Sequence, residues 1–425
     1  MDVAAQLLMA ITLLLMVIGR TPLYTTAVVG STLAALVFGI PITSTNPEAT
    51  TLLSLVKGGL NPVIADMAGV LLFIGAMEYV GFLKILVNSI IRSGSKIGGG
   101  PGVATAGGIA AGVIGAFTGF TQPAITAVIT GPASVKLGAD PSKSAGTHAH
   151  AGHLGNFAGF THPTLLAVIA TVGIKFGWIN AIGLATALVI FGVSYFRMKK
   201  DVKGLELNEA ERKEAMKEFQ KNPNDMPLWV VLLPFLLLVV GFSLGYPVFL
   251  VGFVVSVLVM LLGKANAQKC EASMLESVER VAVPLIATIG FLYMSGVIGA
   301  IGITELLANW FGPLLSSAPI VTMILVSAIA GLLTQSNSAS AAVILPVLTL
   351  VMAQGNVNPL AAAAAAAGPT AVMQYFLTGG PVASLATTIP VVPGSELKQA
   401  NLFQRPSQLA GLVFVSIVAI VLSLF

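Results

Sequence analysis

The chain has 425 residues, of which 56% are hydrophobic and only 9% charged, and its mean hydropathy is +0.93. Soluble domains carry about 25% charged residues, so this composition speaks against a soluble enzyme. The net charge of +4 and the pI near 9.1 do not point to a nucleic-acid partner, because the basic residues gather on one side of a membrane.

Apolar blocks near the ~20 residues that cross a bilayer recur along the whole chain. The first run, Asp2 to Ile18, has no basic n-region and is followed by Arg20. It reads as a retained span rather than a signal peptide. Full spans are expected at about 3–19, 22–40, 62–80, 143–176 and 179–197, then at about 228–243, 246–263, 282–302, 358–391 and 407–425. Two further apolar stretches, about 103–137 and 318–353, are broken midway by polar residues without charge. Each is too long for one span and is expected to be a re-entrant hairpin. Between the two sets lies the charged segment 198–226, with Glu211-Arg212-Lys213-Glu214. It reads as a solvated linker, with Glu209 and Lys213 at the i,i+4 spacing that suits a helix. Cys270 is the single cysteine, so no intrachain disulfide framework is expected.

With these spans alternating, 19 of the 21 basic residues share one side, and only Lys57 and Lys175 fall on the other. The linker side is therefore expected to be cytoplasmic, with both termini outside. A bacterial-type inner membrane is the expected location.

The two sets of spans align. Leu71-Leu72-Phe73-Ile74-Gly75 with Gly81 matches Leu292-Tyr293-Met294-Ser295-Gly296 with Gly302, without a gap. The hairpin break Thr121-Gln122-Pro123 matches Thr334-Gln335-Ser336-Asn337-Ser338. The turn Ala139-Asp140-Pro141 matches Val357-Asn358-Pro359, and the break Asn156 to Pro163 matches Gln374 to Pro381. Five full spans per half is an odd number, so the halves are expected to be inverted repeats. The expected fold is therefore all-α and membrane-embedded, each repeat having five spans, one of them a broken helix, plus a re-entrant hairpin. Unwound backbone in hydrocarbon costs several kcal/mol per unsatisfied group unless it lines a polar cavity. Matched interruptions make sense where freed carbonyls meet cations and half-helix N-termini meet an anion, the signature of a secondary transporter.

At these residues the chain resembles the ion transporter superfamily of elevator-type carriers. Ser336-Asn337-Ser338 is similar to the Ser-Asn-Thr tips of divalent anion/sodium symporters. The order of elements resembles the anaerobic C4-dicarboxylate carriers and gluconate permeases. The glycine-rich run from Gly98 to Gly108 resembles the large membrane subunit of tripartite periplasmic transporters. The first hairpin departs from the symporters, with Thr121-Gln122-Pro123 in place of a Ser-Asn-Thr tip. The resemblance implies a dimerising scaffold and a mobile transport part. In the first repeat, 1–197, scaffold is 1–95, transport 100–178 and closing span 179–197. In the second, 227–425, they are 227–312, 318–392 and 407–425. It also implies a small organic anion, most often a carboxylate, coupled to Na⁺ or H⁺, in a homodimer.

The expected substrate site is Thr121, Gln122, Asn156, Thr161, Gln335, Ser336, Asn337, Gln374 and Thr378, with His150 and His153 next. Cation coupling is expected at Thr121, Asn156, Asn337, Ser338 and Thr378. The four histidines, His148, His150, His153 and His162, fall in one stretch. They are open to three readings: substrate or proton binding, a transition-metal site, or structural hydrogen bonds. No HExxH occurs, and neither an enzyme, a cofactor nor a resident metal is expected. No arginine lies inside the expected transport core, which argues against bidentate gripping of a dianion. Asp66 and Glu78 are the acids well inside spans, and inter-helix hydrogen bonding is the simplest account of them. The alternatives are a subunit of a tripartite transporter and a metal-handling membrane protein or channel built on the histidines.

Overall fold

A computed structural model describes every residue except 1, 19, 20, 22, 61, 62, 119, 120, 203–213, 215–222, 224, 280, 281 and 378–383. Most of the expected linker lies outside the described residues, as does Thr378. The described residues are all-helical, without a strand.

The first half has α1 (Asp2–Ile18), α2 (Leu23–Phe38), α3 (Leu52–Gly59), α4 (Val63–Tyr79), α5 (Phe82–Thr118), α6 (Ala124–Lys136), α7 (Pro141–Ala149), α8 (Ala151–Ala158), α9 (Pro163–Val172) and α10 (Trp178–Lys199). The second half has α11 (Leu228–Ser243), α12 (Val248–Leu262), α13 (Ala267–Glu279), α14 (Ala282–Ala300), α15 (Ile303–Ser317), α16 (Pro319–Thr334), α17 (Asn337–Ala353), α18 (Pro359–Met373), α19 (Ser384–Thr388) and α20 (Leu397–Leu422). Several of these are apolar over lengths that suit a membrane, including α5, α10 and α20.

The interruptions fall where polar residues enter the apolar runs. α5 and α6 flank the first hairpin break, and α16 and α17 the second. The expected span 143–176 is three helices, α7 to α9, and 358–391 is α18 and α19 followed by a 3-10 turn over Ile389–Val391. Asp140 and Asn358 do the same work at matching points. Each caps a helix whose first residue is proline, and each carboxyl or amide oxygen accepts a backbone N–H, from Lys143 and from Leu360, at 2.9 Å. Gly81 and Gly302, also matched in the sequence, both hold left-handed backbone with φ of +80° and +76°.

The packing is reciprocal between halves. α4 packs against α12 and α13, while α14 packs against α2 and α3. Small residues permit the close approaches: a Cβ added at Gly75 would sit 2.6 Å from Met274 Cα, and Gly69 meets α12 at Phe249 and Gly252. Asp66 ties α4 to the start of α12 by accepting backbone N–H groups of Val248 and Phe249, an inter-helix bond to donors the helix leaves free.

Three features were not visible in the span pattern. α5 is two arms, because backbone at Gly98 (φ −161°, ψ 27°) and Gly99 (φ +58°, ψ −132°) leaves the helix. The arms fold back so that Gly94 packs on Gly102 and Ala106. α15 follows α14 across a 73° bend rather than a loop. The last helix begins ten residues before the expected span, at Leu397. That early part buries Asn401 and Gln404, and the next turn Ser407 and Gln408, against α7 and α18.

Candidate functional site

The second hairpin tip is where the expected residues come together. α16 ends at Thr334, and Gln335 takes left-handed backbone with φ +49°. Ser336 then caps α17, its hydroxyl accepting from Ala339 N. The next residue, Asn337, is buried and tied to both helix breaks. Its backbone N–H donates to Gln374 Oε1 at 2.9 Å, and its carbonyl accepts from Thr164 Oγ1 at 2.9 Å. Its side-chain Nδ2 donates to His162 Nδ1 at 3.3 Å. Gln374 Nε2 donates to Ala371 O, which fixes the amide the right way round to accept from the tip. Thus one asparagine joins the second hairpin to the first broken helix at His162 and Thr164 and to the second broken helix at Gln374.

Unpaired oxygens lie on the segments that meet at this junction. Asn337 Oδ1, Gln335 Oε1, Thr161 Oγ1 and Thr370 Oγ1 are buried without a hydrogen-bond partner, although buried polar atoms are normally paired. Hard oxygens of this kind suit a small cation or the polar part of a ligand. Ser338 is half-buried beside them on the first turn of α17.

The first hairpin tip is built differently. Thr121 packs on Gly115 and Gly155, where an added Cβ would overlap its hydroxyl, and its Oγ1 is buried and unpaired. Gln122 is exposed. The neighbouring break is held by backbone and by a residue from another helix. Phe160 N donates to Ala116 O at 2.8 Å, and Asn180 Nδ2 on α10 donates to the carbonyls of Ala158 and Gly159 at 3.1 and 2.9 Å. Asn156 faces the second half, donating to the Tyr375 hydroxyl at 2.8 Å, which also bonds Ser384.

The histidines separate. His162 joins the tip of the second hairpin. His148 donates from Nδ1 to Ser144 O at 2.9 Å, and its Nε2 meets the Thr130 hydroxyl at 2.6 Å. His153 donates from Nδ1 to Ala371 O at 3.2 Å, and His150 Nε2 meets Ser194 Oγ at 3.1 Å. These last two rings lie 5.3 Å apart, each with one ring nitrogen unpaired. They sit where α8 meets α10 and α18, not at the Asn337 junction. Among the described residues, no three His, Cys, Asp or Glu side chains gather as metal ligands.

No family model matches the chain, and no curated protein matches it in sequence. Its fold is similar to that of two solved structures. One is the YdaH transporter of Alcanivorax borkumensis, described as having an unusual topology, with TM-score 0.59 at 15% identity over 98% of each chain. The other is MtrF of Neisseria gonorrhoeae, described as illuminating a class of antimetabolite efflux pumps. It has TM-score 0.61 at 14% identity, covering 94% of this chain and 95% of that one. At such identities the likeness is one of fold.

Sequence reasoning missed Thr164, Tyr375, Asn180 and Thr370. The available signal was weak: Asn180 lies two residues into an apolar span, and Tyr375 is adjacent to the expected Gln374. Asn401, Gln404 and Gln408 were readable as a polar stripe at i, i+3 and i+7. The structure puts it to use, with Gln404 Nε2 donating to Gly146 O and Gln408 Nε2 to Tyr375 O.

Proposed function

We propose that this chain is a secondary active transporter of a small organic anion, a carboxylate, coupled to Na⁺ or H⁺. The observation that carries the reading is the Asn337 junction. A hairpin tip bonded to two helix breaks, with unpaired buried oxygens around it, is costly as mere packing and useful as a binding site. The N-termini of α9 and α17 turn the positive ends of their helix dipoles toward an anion, and the C-terminal ends of α8, α16 and α18 turn carbonyls toward a cation. The fold likeness to a transporter and an efflux pump supports the same reading.

The reciprocal packing of α4 and α14, with the matched caps at Asp140 and Asn358, supports two inverted repeats. In that arrangement the helices around the hairpins form the moving part, and the scaffold helices pair two copies in a homodimer of the inner membrane. The linker lies in the cytoplasm and both termini outside. Movement is of the elevator kind, carrying the site across the bilayer between alternating openings.

Purified protein in proteoliposomes tests this. A panel of labelled mono- and dicarboxylates is offered with Na⁺ or choline outside at two pH values, and both uptake and efflux are followed. Cation- or proton-dependent flux of an acid is the expected result. Flux by this chain alone also dismisses a role as one subunit of a tripartite system. Absence of flux for every acid, together with no ligand-dependent thermal stabilisation, overturns the proposal.

A further inference from the structure

A groove runs between the two arms of α5, α10 and α11, outside the site just described. It consists of two adjoining apolar cavities of about 450 and 360 Å³ that share Leu86 and Ile90. On α11 it extends from Leu228 to Val239, a rise of about 17 Å, close to the roughly 15 Å of hydrocarbon in one leaflet. A third pocket, about 210 Å³, shares Ser89, Ser93 and Leu228 with the first and is polar. Among the described residues, Arg92, Lys96 and Asp225 line it, two cations to one carboxylate. Arg92 Nη2 donates to Ser89 Oγ at 2.8 Å, but its Nη1 is buried with no partner. A buried guanidinium N–H left without a partner is costly.

We propose that this groove holds one anionic phospholipid of the phosphatidylglycerol type. Its phosphodiester sits on Arg92 and Lys96, and one acyl chain lies along Leu86, Ile90, Leu188 and Leu232. The net single positive charge of the described lining residues matches one phosphodiester, and the length matches one leaflet. Arg92 and Lys96 belong to the side that the charge bias makes cytoplasmic, where basic pockets between helices meet anionic headgroups. Phosphate alone would satisfy the basic pocket and leave the groove empty, so the occupant is a lipid rather than a free ion. The inference is independent of whether the chain transports an acid.

The test is native mass spectrometry of the delipidated full-length protein, titrated with phosphatidylglycerol, phosphatidylethanolamine or phosphatidylcholine of the same chains. The expected result is one retained phosphatidylglycerol, half-saturating at about tenfold lower concentration than either zwitterionic lipid. The preference weakens as salt rises. The double variant Arg92→Gln/Lys96→Gln is expected to lose the preference while binding phosphatidylcholine as before. Gly192→Leu is the second variant: Gly192 lines the groove, and a Cβ there meets nothing within 4 Å. It puts an apolar side chain into the groove from a position with open space at Cβ and is expected to weaken every phospholipid alike. Inorganic phosphate, added as competitor, is expected not to displace the lipid. Equal binding of the three lipids overturns the proposal, as does a preference that survives the double variant or phospholipid binding that Gly192→Leu leaves unweakened. Displacement by phosphate would make the pocket an ion site and overturn it as well.

Discussion

The two hairpin tips occupy matching places in the sequence and are held by different physics. The second is held by hydrogen bonds that cross between three segments, all through Asn337. Among the described residues of the first, Thr121 is packed against glycines without a hydrogen bond from its hydroxyl, and Gln122 is left exposed. A bonded tip is preformed and directional, and a packed tip is tolerant of which ligand completes it. A site drawing on both would therefore take its cation geometry from the second half and leave shape and adaptability to the first.

The sharpest test is Asn337→Ala. It keeps the backbone bonds to Gln374 and Thr164 but removes the donor to His162 and an unpaired Oδ1. Transport in proteoliposomes is expected to fall by more than tenfold, the loss of one directed polar contact being about 1.5–3 kcal/mol where charge is involved. Cation-dependent thermal stabilisation is expected to vanish. Retention of that stabilisation would make the two tips equivalent as far as cations are concerned.

Gly155→Ala addresses the first tip. The new methyl would overlap the Thr121 hydroxyl, and overpacking of this kind costs about 1–3 kcal/mol. Thermal unfolding of Gly155→Ala/Thr121→Ala is expected to recover part of the loss, a non-additivity that reads contact directly. Additive losses would show that Thr121 is not what fills that space.

Next is Asn180→Ala, which strips two carbonyls of the first break of their donor. About 1–2 kcal/mol of destabilisation is expected, read as a lower midpoint in a thermal-unfolding assay. An unchanged midpoint would mean that water can reach the break and replace the amide.

Gln122→Ala is expected to leave stability within about 0.5 kcal/mol, since its side chain is exposed. Its transport rate is the discriminating number: reduced flux puts Gln122 at the ligand, and normal flux, if Asn337→Ala is also normal, dismisses the whole site.

The smallest effect is expected at Asp201, whose carboxyl bonds Lys143 Nζ at 2.6 Å on the exposed surface. The Lys143 hydrogen bond and charge hold it below the usual carboxylate range. A depressed carboxylate favours the folded state above its ordinary range and loses that contribution as pH falls through the lowered value. Exposure screens the pair, so Asp201→Asn is expected to move the unfolding midpoint hardly at all at neutral pH. A clear drop would mean that the pair fixes α10 to α7.

Much of this organisation is legible in the sequence. Apolar length placed most of the helices, since a segment that must satisfy its own backbone in hydrocarbon declares itself in composition. Polar breaks inside such segments stood out for the same reason. Asp140-Pro141 and Asn358-Pro359 were readable as matched turns, and the structure makes each a helix cap, a role decided within four residues. The α5 fold-back was not, because Gly98 and Gly99 are two of several glycines in a run, and nothing local selects which pair turns. Nor could the histidines be sorted: on a helix, His150 and His153 share a face, but the acceptors they meet, Ser194 and Ala371, come from distant segments.

Sequence by itself determined that this is an apolar helical chain with two matched sets of interruptions, because those properties arise from bonds and burial within one segment. Tertiary structure decided which interruptions meet. That Asn337, His162, Thr164 and Gln374 form one junction, while His150 and His153 stand apart from it, depends on contacts between residues up to about two hundred positions apart. Such contacts are fixed by how glycine and alanine faces let helices approach, and no periodicity in a single segment records its partner.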